Sequence, residues 1–163
     1  MLSRRCGGIS NAAWRRIEPR TRASAVAARK LFFDGGCRPN PGPIDVAVVA
    51  RGQTYLKRGI AVGTNDDAEW QALLYALDVA RDLGIADPLF VGDSTLVVQQ
   101  ASGAWPARSA NLQAHLATFG RRAEAFDRIS LRHVRRSHNL AGIALERARA
   151  GLGFGGMISA SPE

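Results

Sequence analysis

The hydrophobic pattern of the chain changes period near residue 67, and few architectures accommodate such a change. Before it, apolar residues come in short runs broken by glycine and proline; after it, Trp70, Leu73, Leu74 and Leu77 fall at i, i+3, i+4 and i+7. The first pattern belongs to strands, the second to a helix with one buried face. Residues 31–33 read as a strand stopped by Asp34-Gly35-Gly36. Residues 37–43 read as a rigid loop, because its three prolines cannot donate ladder hydrogen bonds. Residues 44–50 and 54–62, joined by a turn at Arg51-Gly52-Gln53, complete an antiparallel meander. The helix that follows ends near Gly84.

Further on, a buried strand at 88–91 leads into a short helix at 95–101. A helix at 111–126, a strand at 129–134 and a last helix at 139–150 follow. Three strands as a meander, then helix, strand, helix, helix, strand, helix, predict an α/β fold with a mixed five-stranded sheet flanked by helices. The folded domain is expected over 30–150. Residues 151–163 form a glycine-rich tail expected to lack regular structure.

The charge is unevenly spread. Residues 1–30 hold eight of the 22 basic side chains and one of the 14 acidic ones, Glu18. The other 133 residues are nearly balanced, so the excess positive charge lies on a basic arm at 1–29. Such a segment is attracted to polyphosphate by counterion release. A solvated tail or an Arg-rich transit peptide has the same composition. No apolar run approaches the roughly 18–20 residues of a membrane span. Cys6 and Cys37 suggest no disulfide framework, which points to a reducing cytoplasm, and a monomer is expected.

Three acidic residues, Asp34, Glu69 and Asp93, fall where elements begin or end. Each has an ordinary explanation: a turn before two glycines for Asp34, a capping box with Asp66 for Glu69, a helix cap for Asp93. Together they read differently. If the first and fourth strands are neighbours, their carboxyl ends bring Asp34 and Asp93 close, and the helix after the third strand presents Glu69 there. Clustered carboxylates repel one another unless cations are bound, and a divalent ion so held suits phosphodiester chemistry.

At these residues the chain resembles the type 1 ribonucleases H. Phe33 to Pro43 resembles their first motif, Thr64 to Leu73 their second, and Gly92 to Gln100 their third, the likeness covering residues 31–150. The resemblance implies cleavage of the RNA strand of RNA–DNA hybrids. Asp34, Glu69 and Asp93 would be the catalytic and metal-binding residues, holding two Mg²⁺ or Mn²⁺ ions. It also implies hybrid contacts from Gly36, Cys37, Arg38, Asn40, Thr64, Asn65, Asp66, Thr95 and Gln99. Asp66 stands where the family has Asn, and the 103–110 loop is short and nearly uncharged where some relatives carry a basic protrusion.

The fourth family motif fits Arg136 to Leu145, but Ile143 occupies the place of its Asp. Three residues nearby could substitute: Glu146 one turn on, and Asn139 and His138 at the helix start. His138 is also the counterpart expected for a histidine that assists product departure in relatives. Ile143 itself reads as a core residue, one turn from Leu140. A second reading is a hybrid- or RNA-binding module that kept the fold and lost the fourth ligand. A third is an exonuclease or integrase of the same general fold.

Overall fold

The computed structural model describes residues 29–152, Val26 and the backbone of 157–159. All but Val26 and Arg29 of the basic arm lies outside the described residues, as does the rest of the tail beyond Leu152. The meander forms as expected, from β1 (Lys30–Cys37), β2 (Gly42–Ala50) and β3 (Gln53–Lys57). Arg51 and Gly52, both at positive φ (52° and 75°), make the tight turn between β2 and β3.

Several boundaries differ from the sequence reading: the third helix ends at Ala123, Gly42 and Pro43 join β2 instead of the loop, and the first and third strands change as well. β1 does not stop at Asp34, because Gly35 and Gly36 continue the ladder opposite Val46 and Asp45. The third strand breaks at Lys57. Gly59 takes a left-handed φ of 60°, its N–H donates to Asp45 Oδ1 at 3.0 Å, and the chain pairs again as β4 (Val62–Gly63) on β2.

Helix α1 (Asn65–Asp82) crosses the sheet and leads to β5 (Leu89–Gly92), which pairs parallel to β1. Helices α2 (Thr95–Ala101) and α3 (Ala110–Ala123) then return the chain to β6 (Ser130–His133), parallel to β5. After a 3₁₀ turn at Arg136–His138, α4 (Leu140–Arg149) closes the domain. In the tail, β7 (Met157–Ser159) pairs parallel to β3. The mixed α/β sheet runs β6-β5-β1-β2-β3-β7, with β4 beside β2. It is wider than the five strands expected, because the break in the third strand and the pairing of residues 157–159 each add one.

Two apolar layers hold the sheet. Alternation along β1 and β2 sends Leu31, Phe33, Val46 and Val48 to the face covered by α1, where they meet Trp70, Leu73 and Leu77. The opposite face meets α4 through Ala47, Leu56, Ala141 and Leu145. Each such large side chain contributes about 1.5–3 kcal/mol on burial. Two buried polar side chains pair with each other: Trp70 Nε1 donates to Gln100 Oε1 at 3.0 Å, and Gln100 Nε2 to the Pro106 carbonyl at 3.1 Å.

Helix α1 lies unusually close to β1. A Cβ on Gly35 would stand 2.1 Å from the Ala68 carbonyl oxygen, so only glycine admits the helix at this height. Backbone cannot swing aside as a side chain could. Gly35→Ala is therefore expected to cost at least ~2 kcal/mol through overpacking, read as a lowered thermal midpoint. A variant melting with the wild type would contradict this packing.

Candidate active site

β1 and β5 pair only as far as Phe32 opposite Val91. Past that point β5 ends and the chain turns into α2, so the two strands part at the carboxyl end of β5, a common place for ligands in such sheets. Asp34 continues β1 beyond this parting and Asp93 follows directly after β5. The close approach at Gly35 brings in Glu69 from α1. One carboxylate oxygen from each of Asp34, Glu69 and Asp93 lies within 4.8 Å of the other two.

The ordinary explanations for these residues fail one by one. Asp34 lies within β1, opposite Ala47, and not in a turn. The α1 capping box is made by Thr64 and Asp67, not by Asp66 and Glu69. Ser94, not Asp93, caps α2 by accepting from Val97 N–H at 3.3 Å. Neighbours perform the local structural roles and leave the three carboxylates free of them.

Their electrostatics are unfavourable as they stand. Asp34 is 1% exposed, and burial, then the charge of Asp93, raises its pKa from 3.8 to about 7. Burial also holds the Glu69 pKa well above the usual carboxylate value, with Asp34 and then Asp93 adding to it. Among the described residues, Asp34 Oδ1 and Glu69 Oε2 are buried and have no hydrogen-bond partner. Buried carboxylate oxygens are normally paired, so two orphans in one cluster fit a site built for a divalent cation with oxygen ligands.

Asn139 organises the cluster rather than joining it as a ligand. It is fully buried, and its Nδ2 donates to Asp93 Oδ1 at 2.8 Å and to the Phe33 carbonyl at 3.0 Å. Its Oδ1 accepts from Ala141 N–H at 3.2 Å and caps α4. One amide thus joins β1, Asp93 and α4. Arg136 Nη1 lies 3.5 Å from Asp93 Oδ2, and its positive charge opposes the upward shifts of Asp34 and Glu69.

The other substitutes expected for a fourth ligand are not part of the cluster. His138 is exposed on the 3₁₀ turn, and Glu146 is paired with arginines. Ile143 is not a core residue. It is 40% exposed and Leu140 is 47% exposed, because α4 packs through Ala141, Ala144 and Leu145. On α4, a Cβ built at Gly142 would stand 3.4 Å from Asp34 Oδ2.

Sequence reasoning missed His133. It ends β6 opposite Gly92, and its Nε2 lies 3.2 Å from both the Asp93 carbonyl and Thr95 Oγ1. Its signal was available: a histidine at the end of the strand next to β5. It also missed His115, whose Nε2 lies 3.0 Å from Asp67 Oδ1 while the ring stacks on Trp70, bracing the start of α1.

Some of the expected substrate contacts are linked to one another. Asn65 Oδ1 accepts from Cys37 N–H at 3.1 Å and lies 3.3 Å from Cys37 Sγ. Asn40 Oδ1 accepts from Asn65 N–H at 3.1 Å and lies 3.6 Å from that sulfur. The 37–43 loop is thereby tied to the start of α1. Thr64, Asn65 and Asp66 are exposed there, Thr95 is exposed and Gln99 half-buried on α2, and Arg38 is exposed beside half-buried Gly36.

The comparisons with known proteins agree with this geometry. A family model described as reverse transcriptase-like matches residues 33–147. The ribonuclease HI of Halobacterium salinarum is 37% identical over 113 residues, 66% of this chain and 57% of that protein. The chain thus spans little more than half the length of that relative. The crystal structure of the RNase H1 of Halobacterium salinarum NRC-1 superposes with a TM-score of 0.67 and 33% identity, over 75% of this chain and 97% of that one. The N-terminal RNase H domain of rv2228c from Mycobacterium tuberculosis gives a TM-score of 0.62 and 30% identity, over 76% and 97%. The chain belongs to the reverse transcriptase-like family and, within it, stands with the type 1 ribonucleases H.

Proposed function

We propose that this chain is an endonuclease that hydrolyses the RNA strand of RNA–DNA hybrids. The observation that carries this reading is the cluster of Asp34, Glu69 and Asp93, with two buried carboxylate oxygens left unpartnered. These three residues would hold Mg²⁺ or Mn²⁺, with two ions expected and the second held less firmly for want of a fourth carboxylate. When bound, the cations acidify an attacking water and stabilise the departing 3′ oxygen.

The chain's own residues do the rest. Asn139 fixes Asp93 Oδ1 toward the cluster, and the Ser94 cap sets the turn that carries Asp93. Gly36, Arg38, Asn40, Thr64, Asn65, Asp66, Thr95 and Gln99 would supply the hybrid contacts, while Cys37, which is buried, would serve by holding Asn65. Such polar groups suit detection of 2′-hydroxyls across a minor groove, the feature that distinguishes RNA from DNA. Among the described residues no helix is long and apolar enough to cross a membrane, and Cys37 is a free thiol. A monomer acting in a reducing cytoplasm fits both.

Cleavage of a labelled hybrid by the purified protein tests this reading. Wild type should cut the RNA strand only with divalent cation, and Asp93→Asn should fold normally yet lose activity by orders of magnitude, since a ligand charge is removed. Equal rates from a well-folded Asp93→Asn protein would refute the site.

Ile143 favours a second reading, a binding module that has lost turnover, and a second variant separates the two. Mn²⁺ should support cleavage better than Mg²⁺, because it binds such ligand sets more tightly. Ile143→Asp should lower the Mg²⁺ concentration needed for half-maximal rate. Because Ile143 is exposed, the stability cost should stay within ~0.5 kcal/mol. An unchanged Mg²⁺ requirement would show that position 143 does not serve the metals. Absence of cleavage with either cation would favour the binding module.

A further inference from the structure

Glu146 sits in a nest of arginines drawn from three parts of the chain. Arg38 Nη2, from the β1–β2 loop, donates to both its oxygens at 2.9 and 3.1 Å. Arg136 Nη2, from the 3₁₀ turn, lies 3.5 Å from Oε1, and Arg149 Nη1, one turn along α4, lies 3.7 Å from it. The three cations are not equivalent. The Arg149 side chain is 12% exposed and anchored, donating to the Gly36 carbonyl at 3.0 Å and to Asp45 at 3.4 Å. The Arg38 and Arg136 side chains are 65% and 63% exposed. Arg136 reaches Asp93 with its other terminal nitrogen, so the nest adjoins the carboxylate cluster.

A carboxylate and a phosphate present the same paired oxygens to a guanidinium. Exposed ion pairs such as Arg38–Glu146 hold weakly, whereas a backbone phosphate brings the additional gain of counterion release. We propose that Arg38 and Arg136 form a subsite for a backbone phosphate of the bound hybrid beside the one being cut. Glu146 is its internal placeholder, keeping both guanidiniums gathered in the free protein and yielding them when nucleic acid arrives. Glu146 is therefore not the missing metal ligand. The inference rests on the proposed hybrid substrate and deepens it.

The test is hybrid binding in EDTA, where neither metal nor cleavage enters. Anisotropy of a labelled RNA–DNA duplex is followed over a range of salt for wild type, Arg38→Ala, Arg38→Gln and Glu146→Gln. Both Arg38 variants should bind more weakly, and the slope of log affinity against log salt should become shallower by about one unit, one phosphate contact being lost. Glu146→Gln keeps the shape and removes the competing charge, so it should bind about fivefold more tightly at low salt. An unchanged slope in the Arg38 variants, or Glu146→Gln binding no tighter than wild type, overturns the subsite. If wild type itself fails to bind hybrid, the proposed function falls and the subsite with it; if it binds and the variants behave as wild type, the subsite alone falls.

Discussion

Three carboxylates packed together with too few partners are the constraint to which the rest of the structure answers. Burial penalises their charge, and each carboxylate penalises the others. A fold retains such an arrangement only if something else fixes the backbone that carries it. Here Gly35 admits α1 against β1, and the Phe33 ring covers Gly92, where a Cβ would meet it at 2.4 Å. Asn139 then ties β1, Asp93 and α4 with one amide. The geometry is held by packing and neutral hydrogen bonds, so the charges remain available to a cation.

Much of this was legible in the chain because one-sided burial imposes a spacing. The run from Trp70 to Leu77 located α1, and the buried strand before Asp93 located β5. The extent of β1 was not legible, since Asp-Gly-Gly reads locally as a turn, and only the partners Val46 and Asp45 on β2 keep it extended. Ile143 misled for a related reason. Leu140 and Ile143 imitate a core stripe one turn apart, but α4 is seated on the sheet by Ala141, Ala144 and Leu145. Two alanines and Leu145 carried the packing while Leu140 and Ile143 stayed outside. The arginine nest could not be read at all, because Arg38 and Glu146 are 108 positions apart.

The fourth-ligand question changes accordingly. Asn139 is committed to hydrogen bonds, Glu146 to arginines, and His138 stands exposed on its turn. Around the three carboxylates the structure places Gly142 close to Asp34 and Arg136 close to Asp93. A guanidinium next to Asp93 supplies positive charge to a site whose anionic complement is one short of the family pattern. It also joins the carboxylate cluster to the nest at Glu146.

If Asp34 and Glu69 hold a divalent cation, as proposed, proton release accompanies its binding. With an Asp34 pKa of about 7 and Glu69 raised as well, the metal-free protein holds protons in the cluster at pH 6. A cation needs those carboxylates ionised and must expel the protons. Calorimetric titration with Mn²⁺ in buffers of different ionisation enthalpy measures the release. Clear proton release at pH 6, less at pH 8, and tighter binding at the higher pH are expected. Mn²⁺ binding with no proton release at pH 6, or no binding at either pH, would contradict the proposed cation site.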